Sequence, residues 1–163
     1  MTDLGLLHFF LGIQILQMHD GIFLFQPKYV LDLLKRFNME YYKPSATPFQ
    51  LTIKMTKDCD SPRFDATLYR QLTDGLIYLT HNRPHITFDV SLGSQFRQDP
   101  RESHWNVAKI IVHYIKGSYQ FGIKYCRSTN SLVGFINSHW VSNSDDKKST
   151  FGYVFCLSYG PMV

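Results

Sequence analysis

The sequence predicts an α+β chain: a β-hairpin, then a bundle of helices, then an antiparallel β meander. Three observations predict it. Two aromatic-rich apolar runs flank His19-Asp20-Gly21 near the start. Segments between residues 27 and 117 carry apolar residues at helical spacing. From about residue 119 the period shortens to that of strands.

The first run pair, "LHFFLGIQILQMHDGIFLFQ", reads as a hairpin. Asp-Gly between β-prone runs is a strong turn signal, because glycine supplies the positive φ such turns use. Gly12 falls inside the first run. It marks either a bulge that sets strand twist or a place where another backbone comes close.

"QPKYVLDLLKRFNM" reads as a helix. Pro27 suits its first position, where the missing N–H would be unpaired anyway. Val30, Leu33, Leu34 and Phe37 form one apolar stripe, with Lys28, Asp32, Lys35 and Arg36 largely opposite. "YYKPSATPFQLTIKMTKDCDSPRFD", with Pro44, Pro48 and Pro62, reads as a surface connector of little regular structure.

Asp65 is an expected N-cap for a helix whose stripe is Leu68, Leu72, Leu76 and Leu79, ended by Arg83-Pro84. Ile86, Val90, Gly93 and Phe96 resume helical spacing. In "DPRESHWNVAKIIVHYIKG", Asp99 is the expected cap, Pro100 takes the first turn, Glu102 completes a capping-box-like pattern and Gly117 closes the helix. Trp105, Ala108, Val112 and Ile115 form its buried stripe; Asn106, Lys109, His113 and Lys116 lie opposite. "FGIKYC", "LVGFIN" and "FGYVFCL" then read as three short strands of one meander. Three strands need another layer to pack on, so the last part reads as truncated.

At 163 residues, 44% hydrophobic and 15% aromatic, the chain has material for one compact domain or two small subdomains. A net charge of +4 and a pI near 8.9 are compatible with a polyanionic partner without requiring one. Cys59, Cys126 and Cys156 form no CxxC pair and read as reduced thiols of an intracellular protein, cytoplasmic or nuclear. No apolar run approaches a membrane span, and the N-terminus lacks the basic region of a signal peptide. Neither HExxH, GxSxG nor GxxxxGK occurs, which argues against zinc-protease, serine-hydrolase and P-loop chemistry.

In order, "DLGLLHFFLGIQI", "DGIFLFQPKYVLDLLKRFNM", "KPSATP", "YRQLTDGLIYLT", "RPHITFDVS", "PRESHWNVAKIIVHYIKG" and "DDKKSTFGYVF" resemble the reverse transcriptase region of copia-type LTR retrotransposon Pol polyproteins, over nearly the whole chain. The resemblance implies that residues 1–26 end a polymerase palm with a primer-grip-like hairpin. It makes residues 27–118 the helical thumb and connection, and residues 119–163 the truncated start of a ribonuclease H-like domain. The parent activity it implies is RNA-directed DNA polymerase with ribonuclease H, using Mg²⁺ in the intact enzyme.

Two departures from the family bear on activity. The family's palm aspartate pair lies upstream of the Asp3-Leu4-Gly5 phrase, and no Tyr-x-Asp-Asp occurs in these residues. Asp145-Asp146 sits in a Ser/Asn/Lys stretch that reads as solvated. Where the family has Gly-Tyr-x-Asp-x-Asp-Trp, this chain has Gly134-Phe135-Ile136-Asn137-Ser138-His139-Trp140. A neutral amide binds Mg²⁺ poorly beside a carboxylate. Asn137 and His139 are therefore expected to be vestigial, with no catalytic residue, metal or cofactor for this chain.

What remains is an expected surface for nucleic acid. Lys109, His113 and Lys116 form a cationic helix face, thinned where the family carries further arginines and this chain has Ile110 and His113. Such a face neutralises phosphates without reading sequence, or is simply a solvated face. The resemblance adds Gly12 and Gln14 of the hairpin; Arg83, Arg70, Lys35 and Arg36 are weaker candidates, and Tyr69 and Tyr78 read as packing residues. The expected partner is an RNA–DNA or DNA duplex, held weakly. The functions in competition are an inactive reverse transcriptase fragment, a non-catalytic nucleic-acid-binding module reusing the thumb surface, and an enzyme completed by another chain.

Overall fold

A computed structural model describes residues 5–48, 55–56, 60–127, 132–139, 150–157 and 160–162. The fold is α+β. Strands β1 (Phe9–Phe10), β2 (Ile13–Met18) and β3 (Gly21–Phe25) precede helices α1 (Pro27–Arg36), α2 (Ala66–Thr80), α3 (Thr87–Ser94) and α4 (Glu102–Gly117). Strands β4 (Gly122–Cys126), β5 (Leu132–His139), β6 (Thr150–Leu157) and β7 (Gly160–Met162) follow. The chain divides into two compact units, Gln26–Phe121 and the pair of segments Met1–Phe25 and Gly122–Val163.

In the helical unit, local chemistry sets most helix ends. Pro27 opens α1 as expected. Its C-terminus is a Schellman motif: Asn38 takes the left-handed conformation at φ 55°, its N–H donates to the Lys35 carbonyl, and the Met39 N–H donates to the Leu34 carbonyl at 2.8 Å. Met39 is buried in the same core as Leu34. Asp65 caps α2 as its position predicts, its carboxylate accepting from the N–H groups of Thr67 (2.7 Å) and Leu68 (3.2 Å). A cap of this kind contributes about 1 kcal/mol.

The start of α4 differs from expectation. Asp99 does not cap it; its carboxylate pairs with Arg63 at 3.5 Å and Arg101 at 3.3 Å. The N-cap is Arg101, and Glu102 plays no part in a capping box. His104 takes that place: its Nδ1 accepts the Arg101 backbone N–H at 3.1 Å. Because a backbone N–H can only donate, the ring proton must sit on Nε2, which donates to the Thr56 carbonyl at 3.1 Å. The connector supplies the remaining partners, the Pro62 carbonyl for the Glu102 N–H and Ser61 Oγ for the Ser103 N–H. The ring of His104, 1% exposed, stacks on Phe96 with centroids 3.9 Å apart.

The core joins Leu33 and Leu34 of α1, Leu72, Leu76 and Leu79 of α2, Val90 of α3 and Ile111, Val112 and Ile115 of α4. Trp105 is half-buried and stacks on Phe64 at 4.5 Å. Tyr69 packs in the core as expected, its hydroxyl donating to the Gly93 carbonyl at 2.8 Å while burial pushes its pKa up to about 12.

In the strand unit, β1-β2-β3-β4 form one antiparallel sheet and β5-β6-β7 another. The predicted meander is therefore divided: "FGIKYC" supplies β4, which pairs with β3 (Phe25↔Gly122 to Gly21↔Cys126) rather than with β5. Gly21 does not have positive φ. Glycine is needed there because a Cβ would meet the Tyr125 carbonyl oxygen of β4. The sheets meet at Tyr125, whose hydroxyl donates to the Pro161 carbonyl at 2.9 Å and whose ring covers Gly160. Phe135 and Ile136 of β5 and Tyr153 and Phe155 of β6 are exposed, and neighbours along a strand point to opposite faces. Cys126 and Cys156 are free thiols. No helix among the described residues is long and apolar enough to cross a membrane.

His104 and Asp89 contribute to the pH dependence of stability with opposite signs. Burial, with Arg101 nearby, holds the His104 pKa below its ordinary 6.5, partly offset by the Thr56 bond and Asp99. The unfolded chain then binds a proton first, so stability is full above about 6.5 and falls as pH drops toward the folded pKa. His104→Gln keeps an acceptor for the Arg101 N–H and should make the acid limb shallower in urea melts from pH 7 to 5, with His85 and His113, whose pKa values desolvation also lowers, accounting for the rest, whereas His104→Ala should destabilise at every pH. Asp89, 7% exposed, has the opposite sign, since burial raises its pKa from 3.8 to about 6. Its cost appears as pH rises from 3.8 and is complete above about 6. Asp89→Asn should stabilise the protein at pH 7.5 by as much as about 3 kcal/mol and have little effect at pH 4, measured by the same melts.

Candidate nucleic-acid interface

Lys109, His113 and Lys116 project from α4 at i, i+4 and i+7, so they share a face. All three are half-buried rather than open. The Lys116 ammonium donates to the backbone carbonyls of Glu40 and of Tyr42, the latter at 2.7 Å. The His113 ring stacks on Tyr42, centroids 4.9 Å apart at 19°. Burial, then Lys109 and Lys116, hold its pKa below the ordinary imidazole range, so it is neutral at pH 7. Lys109 forms no ion pair among the described residues. Of the predicted trio, one cation is available and two groups are engaged by the connector.

Arg83 is a correction. It is 0% exposed, and its guanidinium donates to the carbonyls of Ser118 (2.7 Å) and Tyr119 (2.8 Å) at the end of α4. Burial lowers its pKa to about 10, which leaves it charged at pH 7. A side chain so placed satisfies helix-end carbonyls and cannot reach a phosphate.

The hairpin residues also take other places. Gly12 lies outside the strands, in the two-residue turn between β1 and β2, with Leu11 at φ 47° and Gly12 at φ 81°. Two positive φ values are those of a type I′ hairpin, and this accounts for the glycine. Gln14 sits in β2 between Phe9 and Phe25 of the neighbouring strands. In β5, Asn137 pairs with Gly152 and His139 with Thr150. Their side chains lie outside the described residues, as do Trp140, Asp145 and Asp146. An amide at 137 and an imidazole at 139 do not fit Mg²⁺, which takes hard oxygen ligands, chiefly carboxylates.

A polar groove of about 720 Å³ has no signature in the sequence. Arg70 of α2 and Ser94, Gln95, Arg97 and Gln98 at the end of α3 line it. Arg97 pairs with Asp74, one turn from Arg70 along α2. Arg70 is exposed, and no carboxylate among the described residues pairs with it. The groove thus offers one free guanidinium beside amide and hydroxyl donors, a set that binds an anionic oxygen without selecting its carrier.

The assignment of Arg83 to the core is open to direct test. Arg83→Met should lower the urea-unfolding free energy by about 2–4 kcal/mol, because two carbonyls lose charged donors inside the protein. A surface arginine would show a change within about 0.5 kcal/mol.

No protein-family model matches the chain, and no solved structure matches it. Curated proteins do, among them the following three. The chain is 36% identical over 157 residues to the retrovirus-related Pol polyprotein from transposon RE2 of Arabidopsis thaliana, a match covering 96% of the chain and 11% of the polyprotein. It is 29% identical over 169 residues to the Pol polyprotein from transposon TNT 1-94 of Nicotiana tabacum, covering 98% and 13%. It is 32% identical over 162 residues to an uncharacterized mitochondrial protein of Arabidopsis thaliana, covering 98% and 66%. The chain spans little more than a tenth of the Pol polyproteins it matches. With near-complete coverage by transposon proteins from two plants, this retrotransposon-derived chain belongs to the retrovirus-related Pol polyproteins of copia-type transposons.

Proposed function

We propose that the chain is the thumb and connection of a copia-type reverse transcriptase, running into the start of a ribonuclease H-like domain, and that by itself it neither polymerises nor cleaves. The observation that carries this reading is the β5 sequence, with Asn137 and His139 where the family has aspartates. Two-metal chemistry needs anionic oxygens to hold both ions and orient the attacking group, and neither side chain supplies one at neutral pH. In this reading β4 goes with the primer-grip-like hairpin that it pairs with, and the ribonuclease H-like part begins at β5.

A second reading, that the chain still holds nucleic acid without acting on it, is favoured by the groove. Arg70 and Lys109 are cations without ion-pair partners among the described residues, and both belong to the helical unit. Each neutralises one backbone phosphate of an RNA–DNA or DNA duplex, releases counterions and reads no base. Fewer such contacts mean weaker binding and a shallow dependence on salt.

Two measurements test these readings. Purified protein with Mg²⁺ should extend no primer on an RNA template and release no fragments from a labelled RNA–DNA hybrid; incorporation or cleavage at any level above a no-protein control would overturn the first. For the second, affinity for the hybrid should fall with salt, and Arg70→Glu should weaken it about tenfold while making the log–log salt slope shallower by about one. Binding that survives Arg70→Glu unchanged would remove the groove.

A further inference from the structure

We propose that residues 40–45 form an autoinhibitory strap, which occupies the cationic face of α4 and is displaced when a nucleic-acid backbone binds there. The proposal rests on the binding reading above and adds how that binding is regulated.

The strap touches the helix at successive points. The Lys116 ammonium is held by the carbonyls of Glu40 and Tyr42. The Tyr42 ring lies flat on His113. The Ser45 N–H donates to the His113 carbonyl at 3.2 Å, and Pro44 sits over Gly117, where a Cβ would be only 3.0 Å away. Each point falls on or beside the residues that would face phosphates, Lys109 excepted. The strap therefore covers two of the three predicted contacts rather than some unrelated part of α4.

The chemistry makes it displaceable. Carbonyl oxygens offer Lys116 only partial charge, whereas a phosphate oxygen carries a full one and makes the stronger, charge-assisted bond. Nothing apolar in the strap is sunk into the core: Tyr41 is 95% exposed, and Tyr42 and Pro44 are exposed as well. Residues 40–45 lie in neither helix nor strand. The segment is thus held by contacts that a polyanion can replace, and its release costs no core packing.

The test pairs hydrogen exchange with binding to a fixed RNA–DNA hybrid over a salt series. Tyr42→Ala removes the stack and should speed exchange of the Ser45 amide. It should also tighten hybrid binding about three- to tenfold and steepen the log–log salt slope by about one, as Lys116 becomes a phosphate contact. Tyr42→Phe keeps the ring and should match wild type in both readouts. In a Lys116→Gln background, Tyr42→Ala should still speed exchange yet no longer tighten binding. Unchanged Ser45 exchange in Tyr42→Ala, or faster exchange with unchanged affinity and slope, overturns the strap. Wild-type protein that binds no hybrid at any salt overturns the binding reading itself, an outcome distinct from a wild type that binds and a Tyr42→Ala variant that binds no better.

Discussion

Arg83 is the residue around which the helical unit closes. A guanidinium taken out of water is costly unless its donors find acceptors. Here it enters the core just before the 3-10 turn Pro84–Ile86 and donates to the carbonyls of Ser118 and Tyr119. Those oxygens stand at the negative end of α4, the longest helix, so the charge also meets a favourable dipole. The bond joins residues 35 and 36 positions apart in sequence. It ties the turn after α2 to the point where the chain leaves the helices for β4. The apolar contacts of α2 and α4 supply the free energy of the core; the guanidinium fixes which ends of those helices meet.

How much of this was legible depended on how local each cause is. Pro27 and Asp65 act within one turn of their own helices, and both were readable. The Schellman end at Asn38 is equally local, and its signal is an asparagine after a basic last turn. The cap of α4 was not local. Ser61 and Pro62 bring their own acceptors to its first N–H groups, which leaves Asp99 free to pair with arginines. The strand "FGIKYC" was readable as a strand, but its partner lies about a hundred residues earlier, beyond any periodicity.

The candidate site divides along the same line. The shared face of Lys109, His113 and Lys116 follows from helical spacing alone. That a prolines-and-tyrosines connector lies across two of them is a tertiary fact. Arg83 and Arg70 are both lone arginines at or near the helical stretch 66–80, and nothing local marks one as buried and the other as solvated. Gly12 is readable as special from the sequence, and the structure gives it a local cause, a tight turn with positive φ at Leu11 and Gly12.

The pairing of Phe25 with Gly122 has a consequence for how the chain is made. As it leaves the ribosome, β3 has no β4 to meet until the whole helical unit has been synthesised. Left to a flexible coil, so long a closure would be slow. A helical unit with its own core can fold while the chain is still growing and hold its two ends together, turning a distant search into a local one. The order of synthesis then favours helices first and the β3–β4 ladder last, so the exposed edge of the hairpin is the part of the nascent chain most open to wrong partners.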